Sequence, residues 1–246
     1  MEWCDEGVIL AARRHGETSV ILDVLTKTHG RYAGMVRGGA SRKQAPVLQP
    51  GNQVKVEWRA RLEDHLGAYR AELLKSRSGI MADRGRLAAL SSICALMTFA
   101  MPERMELTQI YDQTLALIEK LNSDEPWSAD YAVWELMILE ELGYGLDLSS
   151  CAATGGTQEL IYVSPKSGRA VCRSAGEQYA DRMLPLPKFL QMEGVDPAAK
   201  EVLGALKTTG YFLERWLAPA LGNRPLPDAR ARLVHVLQKE VKREGV

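Results

Sequence analysis

The 246-residue sequence lacks the features of several large protein classes. Four widely spaced cysteines, Cys4, Cys94, Cys151 and Cys172, do not form a disulfide framework, so reduced thiols are expected. The longest uncharged apolar run, 87–102, has 16 residues, fewer than the roughly 18–20 of a membrane span. Three of the first six residues are acidic and none is basic, whereas a signal peptide begins with basic residues. We therefore expect a cytoplasmic protein with no membrane association.

Common catalytic motifs are also missing. No Gly-Lys pair occurs, which excludes the phosphate-binding loop of nucleoside triphosphatases. Gly-x-Gly-x-x-Gly, Gly-x-Ser-x-Gly and His-Glu-x-x-His do not occur either. The histidines are scattered, at His15, His29, His65 and His235. These absences favour a binding protein over an enzyme, with no catalytic residue and no cofactor.

The net charge of zero conceals two blocks of opposite sign. Residues 13–61 carry ten bases against three acids, and residues 102–150 carry eleven acids against two bases. Clustered lysine and arginine favour binding to a polyanion, because each phosphate contact releases condensed counterions. Two solvated faces of one neutral protein would give the same totals, so charge alone leaves both interpretations open.

The pattern of the first 75 or so residues predicts β-strands. Apolar or alternating runs at 8–11, 19–26, 32–36, 54–58 and 68–73 are separated by glycine-containing turns. Five short strands at this spacing predict a small closed or nearly closed barrel.

Beyond about residue 80 the apolar residues recur at helical spacing. The pattern predicts helices within 87–101, 107–121, 128–142, 202–217 and 233–241, with Ser128 as a candidate cap. Two short apolar runs around the turn 164–168 predict a β-hairpin inserted at about 149–177. We therefore predict an α+β protein with a barrel domain at 1–79 and a helical domain at 80–246.

The densest basic feature is the segment 36–43, Val-Arg-Gly-Gly-Ala-Ser-Arg-Lys, between two predicted strands. Its glycines let backbone amides approach a phosphate, and its cations supply charge. Arg37, Arg42 and Lys43 are the principal candidates for phosphate contacts. Weaker candidates from the same basic block are Arg13, Arg14, Lys27, Arg31, Arg59 and Arg61.

Aromatic residues are scarce in the basic block and the residues before it. Residues 1–61 contain only Trp3, Tyr32 and Trp58, which leaves few platforms for base stacking. We therefore expect backbone electrostatics to dominate any nucleic-acid binding, with slight sequence preference.

Several motifs in order along the chain resemble the RecO family of bacterial recombination mediators. They include Asp5–Leu10, His15–Ser19, Arg37–Lys43, Leu48–Gly51 and Leu139–Cys151. The resemblance is strong at the N-terminal motifs and at 139–151, and weak after about residue 180.

The resemblance implies an N-terminal OB-fold barrel followed by a helical domain. It implies binding of single- and double-stranded DNA and annealing of complementary strands, without nucleotide hydrolysis. It also implies work in the RecF pathway of DNA repair, near the nucleoid. The implied partners are RecR and the acidic, apolar C-terminal tail of the single-stranded-DNA-binding protein (SSB). The implied activity is to help load RecA onto SSB-coated DNA. We expect the tail to dock within 151–246.

One departure from the family concerns zinc. Some members carry Cys-x-x-Cys twice around the hairpin, and four thiolates complete a zinc site. Here Cys151 is followed by Ala-Ala-Thr and Cys172 by Arg-Ser-Ala, so each pair has lost one cysteine. We therefore predict a degenerate zinc-finger-like hairpin that holds no metal.

Two other functions remain open at this point. A protein-interaction scaffold with incidental DNA affinity would also use the acidic block and the apolar helix faces. A nuclease acting on the DNA it binds is the weakest alternative, since no motif indicates one.

Overall fold

The computed structural model describes residues 1–62, 65–192 and 194–243. The first five strands are β1 (Glu2–His15), β2 (Ser19–Thr26), β3 (Gly30–Val36), β4 (Gln53–Arg59) and β5 (Ala68–Lys75). Three helices follow: α1 (Arg84–Ala100), α2 (Thr108–Leu121) and α3 (Ser128–Glu141). A small three-stranded sheet follows, made of β6 (Leu160–Val163), β7 (Ala170–Cys172) and β8 (Leu184–Pro185), and the short helix α4 (Arg173–Gly176) lies between β7 and β8 along the chain. The remaining helices are α5 (Ala199–Phe212), α6 (Ala218–Ala220) and α7 (Asp228–Arg243).

The first five strands close into a barrel in the order β1-β2-β3-β5-β4. Strand β1 is long enough to pair with β4 through its first half and with β2 through its second half. The β1–β2 register shifts between Ile9 and Ala11, where such an irregularity lets a strand bend around the barrel. Strands β3 and β5 close the barrel in parallel. This arrangement confirms the predicted five-stranded barrel.

Alternation along the strands fills the barrel interior. On β4, Val54, Val56 and Trp58 are buried, while Lys55 and Arg59 point outward and are exposed. Burying an aliphatic side chain of this size contributes about 1.5–3 kcal/mol. The alternation of apolar and polar residues therefore predicts the strand, and its apolar residues form the core of the barrel.

The chain divides into two compact units. The first contains Met1–Glu125 with Pro227–Leu233, and so holds the barrel together with α1 and α2. Helix α1 packs on β1, where the Cys94 thiol lies 3.9 Å from the Ile9 carbonyl oxygen. The Arg86 guanidinium donates to the Lys120 and Leu121 carbonyls and so satisfies the last turn of α2.

The second unit contains Pro126–Leu226 and the remainder of α7. Helices α3 and α5 pack together, and the buried Thr209 hydroxyl donates to the Glu135 carboxylate at 2.5 Å. The predicted hairpin is present as β6 and β7, and β8 extends it to three strands. Its turn packs closely on Leu213–Leu217, the segment that follows α5, since a Cβ on Gly168 would lie 2.6 Å from the Trp216 ring.

Two local predictions need correction. Ser128 is the first residue of α3, and the capping position belongs to Trp127. The predicted helix at 202–217 is not uniform, because a π-helical turn, Leu213–Leu217, follows α5. No helix in the described ranges is both long and apolar enough to cross a lipid bilayer.

Candidate nucleic-acid interface

Five of the nine predicted DNA-contacting residues lie at one end of the barrel. In the strand registers Arg14 pairs with Val20, and Val20 pairs with Val36, the residue before Arg37. The Ala40 amide donates to the Thr18 carbonyl at 3.0 Å, which fixes the β3–β4 connection against the β1–β2 turn. We call this surface the basic end; it consists of Arg13, Arg14, Arg37, Arg42 and Lys43.

The loop that carries three of these cations is well supported. Gly38 adopts a left-handed φ of 68°, and Gly39 fits so tightly that an added Cβ would lie 3.0 Å from both Leu48 and Val20. Leu48 is buried in the barrel core. The buried Asn52 amide donates to the Pro46 and Val47 carbonyls, at 2.9 and 3.0 Å. The loop therefore presents its cations from a fixed backbone.

The loop uses its glycine region differently from the sequence-based expectation. The Gly39 amide donates to the Val36 carbonyl and the Ala40 amide to Thr18, so neither amide faces outward for a phosphate. The side chains of Arg37, Arg42 and Lys43 are exposed and form no ion pair with another described residue. The exposed side-chain charges of these three residues are what this loop offers to a polyanion, while the Gly39 and Ala40 amides are already engaged.

The other four candidates, Lys27, Arg31, Arg59 and Arg61, lie toward the opposite end of the barrel. The Lys27 amide donates to the Glu6 carbonyl, and Arg59 pairs with Glu2 across β1 and β4. The structure does not bring these four together with the basic end. The Arg59 guanidinium also forms an ion pair with the Glu2 carboxylate at 2.5 Å.

Arg31 forms ion pairs with two carboxylates within the protein. Its guanidinium lies 2.8 Å from the Asp23 carboxylate and 3.3 Å from that of Glu103. Burial raises the pKa of Asp23, and the positive charges of Arg31 and Arg13 oppose that rise. Arg31 therefore compensates a buried acid, a role that the charge count could not reveal.

The same opposite end gathers aromatic rings that the sequence analysis considered separately. Trp3 and Trp58 face each other across β1 and β4, with ring centroids 5.5 Å apart. His29 stacks on Trp3 at 4.1 Å, and Tyr32 meets both tryptophans edge-on. Strand pairing between residues far apart in sequence makes this cluster, so composition alone did not indicate it.

The second unit carries a shallow apolar groove. Its volume is about 450 Å³, and it lies between the β8 segment and the first turns of α5. Pro185, Leu186 and Pro187 form one side, and Gly204 leaves space on the other. The exposed side chains of Lys200 and Glu201 lie at its edge. The groove is thus apolar with one cation and one carboxylate at its edge, and that carboxylate accepts a hydrogen bond from the Ala198 amide.

Comparison with known proteins matches nearly the whole chain. Residues 1–77 match the family model described as Recombination protein O N terminal, and residues 81–227 match Recombination protein O C terminal. A DNA repair protein RecO from Ruegeria sp. (strain TM1040) is 54% identical over 98% of this chain and 100% of its own. One from Jannaschia sp. (strain CCS1) is 49% identical over the full length of both chains.

The chain belongs to the RecO family. Membership confirms the resemblance noted in the sequence, and the closed five-stranded barrel fits the OB-fold expected of the family. It places the chain among proteins of DNA repair and recombination.

In this RecO family member the hairpin cysteines lie side by side. The Cys172 amide donates to the Cys151 sulfur at 3.3 Å. Thr154 stands where the family pattern has a second cysteine, and its hydroxyl lies 3.8 Å from the Cys172 sulfur. The described residues hold no group of three or more side chains suited to a metal ion.

The environment of Cys151 favours its thiolate. Burial of this thiol opposes ionisation, but hydrogen bonds from the Thr154 hydroxyl and the Cys172 amide lower its pKa to about 6. The Thr154 hydroxyl and the Cys172 amide therefore stabilise a thiolate at Cys151.

Proposed function

We propose that this protein is a DNA-binding recombination mediator without catalytic activity of its own. It binds single- and double-stranded DNA and anneals complementary strands. With RecR it helps to load RecA onto SSB-coated single strands. The observation that carries the proposal is the basic end, where five exposed cations stand on a fixed scaffold in a chain of zero net charge.

The geometry favours a polyanion over a small acidic ligand. The cations are spread over the end of β1 and the β3–β4 loop. Guanidinium and ammonium groups in this arrangement contact successive phosphates independently of base identity. Annealing follows from the same property, because neutralised strands repel each other less while their bases remain free to pair.

The test is annealing of two complementary oligonucleotides without nucleotide or added metal. The wild type is compared with the triple variant Arg37→Ala, Arg42→Ala, Lys43→Ala. A matched control removes two arginines and a lysine elsewhere on the exposed surface: Arg215→Ala, Arg232→Ala, Lys239→Ala. We expect rapid annealing by the wild type and the control, and slow annealing by the triple variant. Equal rates for all three proteins would refute the basic end as the DNA-binding surface.

A second function, holding a partner protein, is favoured by the apolar groove beside Lys200. Its apolar surface and edge cation suit the acidic, apolar SSB tail that the family resemblance implies. The ammonium of Lys200 would meet a carboxylate of the tail, and Pro185 and Pro187 would contact its apolar side chain.

Gly204 offers a direct test of this docking. A Cβ at Gly204 would lie 3.5 Å from Pro185, in ordinary contact, whereas a larger side chain would fill the groove. We expect Gly204→Leu to weaken binding of a peptide with the cognate SSB tail sequence, and Gly204→Ala to leave it nearly unchanged. Fluorescence anisotropy of the labelled peptide measures both. Unchanged binding by Gly204→Leu would exclude the groove as the docking site.

A further inference from the structure

The aromatic end of the barrel, opposite the basic end, contains an open pocket of about 490 Å³. Pockets for small organic ligands have volumes of roughly 300–1,000 Å³. Its walls combine aromatic rings with charged groups: Trp3, His29, Tyr32, Trp58, Arg104 and Glu106. All of these residues belong to the first compact unit.

The rings in this pocket form an ordered stack that reaches the surface. Trp58, with 1% of its surface exposed, forms the base of the stack, and Tyr32, with 5% exposed, packs edge-on against it. Trp3 lies nearly parallel to both Trp58 and His29, with interplanar angles of 15° and 10°. The His29 side chain, 33% exposed, ends the stack at the surface.

Hydrogen bonds at the ring edges fix the orientation of the stack. The Trp58 indole N–H donates to the Ala33 carbonyl at 3.3 Å. The Nδ1 atom of His29 lies 2.9 Å from an Asp5 carboxylate oxygen. These two polar edges are therefore occupied, and the exposed ring face at the His29 end is a surface that a ligand could contact. A planar aromatic ligand matches this face, since base–aromatic stacking does not depend on hydrogen-bond pattern.

Arg104 is held over this pocket by an unusual backbone. Its φ of 62° lies in the left-handed region, which costs a residue other than glycine conformational energy. Its amide donates to the Arg31 carbonyl at 2.9 Å, and its guanidinium lies 5.2 Å from the centre of the Tyr32 ring. Strained backbone of this kind concentrates at ligand clamps. The guanidinium thus stands fixed beside the aromatic rings.

The charges around the pocket disfavour a simple anion. Glu106 and Glu2 line it alongside Arg104, and Asp5 lies behind His29. A ligand with a neutral planar ring that carries an amino group, next to a single phosphate, would complement both the carboxylates and the arginine. Carboxylates accept hydrogen bonds from the exocyclic amino groups of bases, and arginine binds phosphate.

The geometry points to a pocket that takes one unpaired base of single-stranded DNA. The base stacks at the His29 end of the ring stack, and Arg104 contacts its phosphate. This inference rests on the proposed function, because it gives one DNA strand a second contact on the same barrel.

The position of the pocket fits a strand that follows the barrel. The seven residues of β3 lie between His29, at the outer end of the ring stack, and Arg37 in the basic end, a length of roughly 20 Å at about 3.3 Å per residue. Several nucleotides are needed to cover that length, within the roughly 4–16 nucleotides that an OB fold binds. The basic end then supplies the salt-dependent part of the affinity, and the pocket supplies a base-dependent part.

The test compares two oligonucleotides of equal length and charge, one with normal bases and one with abasic sites throughout. Anisotropy titrations use the wild type, His29→Ala, Arg104→Gly and the surface control His235→Ala. Glycine at position 104 keeps the left-handed φ without strain. His29→Phe keeps an aromatic ring at the end of the stack, and circular dichroism confirms that each variant is folded.

We expect the wild type and His235→Ala to bind the normal oligonucleotide about 5- to 100-fold more tightly than the abasic one. His29→Ala and Arg104→Gly should lose most of that preference, and His29→Phe should keep it. The triple variant at the basic end should bind both oligonucleotides more weakly but retain their ratio.

Other outcomes separate failure of the pocket from failure of the proposed function. Equal binding of both oligonucleotides by the wild type overturns the pocket proposal and leaves DNA binding intact. A base preference that survives in both His29→Ala and Arg104→Gly also overturns it, since the bases are then held elsewhere. If these variants lose binding to SSB or RecR and not to DNA, the pocket is a protein-docking site. No binding of either oligonucleotide overturns the proposed function itself.

Discussion

The salt dependence of DNA binding offers the sharpest quantitative test of the basic end. Arg37, Arg42 and Lys43 are exposed, stand on a fixed loop and make no ion pair among the described residues, so each is available to one phosphate. The perturbation is their joint replacement by alanine. Leu48 and Gly39, which hold the loop against the barrel, are left unchanged. The variant should therefore keep the fold and lose charge alone.

The expected magnitude follows from counterion release. Each phosphate contact on a single strand contributes about 0.7 to the slope of log affinity against log salt, so three lost contacts reduce the slope by about 2. Between about 50 mM and about 200 mM salt, the wild type should lose roughly twentyfold more affinity than the variant. On duplex DNA the reduction should be slightly larger, at about 0.9 per contact.

The assay is anisotropy of a labelled oligonucleotide titrated at four or more salt concentrations. The control variant Arg215→Ala, Arg232→Ala, Lys239→Ala carries the same net charge as the triple variant. Its slope should match the wild type if contact, and not overall charge, sets the dependence. A triple-variant slope equal to that of the wild type would refute the reasoning.

Three further predictions concern groups that the fold itself depends on. Arg31→Ala leaves the buried Asp23 carboxylate without its partner and should lower the free energy of unfolding by about 3–5 kcal/mol in urea titrations; a loss below about 1 kcal/mol would contradict that role. Asn52→Ala removes the donor to the Pro46 and Val47 carbonyls. It should lower the free energy of unfolding by about 1–3 kcal/mol and speed proteolysis within the β3–β4 loop; a variant that is digested as slowly as the wild type would contradict this support of the loop. Because folding lowers the pKa of Cys151 from 9.0 to about 6, the unfolded chain binds more protons between these values. The stability advantage of the wild type over Cys151→Ala should therefore grow as pH rises from 6 to 9, and a constant difference would contradict the thiolate.

The barrel and the helices could be predicted because their signals are local. Alternation in Val54–Trp58 and the glycine turns between runs define strands without knowledge of their partners. The extent of β1 could not be predicted in the same way. Its residues Glu2–Glu6 join the barrel only because they pair with β4, with partners that lie 49 to 57 residues later in the chain. A boundary between separate domains at residue 79 stays a prediction.

The candidate site was predictable in part for the same reason. Arg37, Arg42 and Lys43 are neighbours in sequence, so their shared loop was visible. The pairing of Arg31 with Asp23 and Glu103 was not, since a charge total cannot distinguish a compensated cation from an exposed one. That Arg37, Arg42, Lys43 and the other basic candidates bind DNA stays a prediction.

The aromatic pocket shows the limit of composition most directly. Three aromatic residues in the first 61 looked too few for stacking, yet β1–β4 pairing brings Trp3 and Trp58 together and the β2–β3 turn adds His29. Arg104 comes from the segment between α1 and α2. No local pattern links these four positions.

The most direct test of the central claim is annealing of complementary oligonucleotides, each coated with the cognate SSB, without nucleotide or added metal. The account predicts rapid duplex formation by the wild type, and slow formation by the variant that lacks Arg37, Arg42 and Lys43. If the wild type binds DNA but does not anneal the coated strands, the protein is a scaffold and not a mediator in its own right. If the triple variant anneals as fast as the wild type, the basic end is not the surface that brings the strands together.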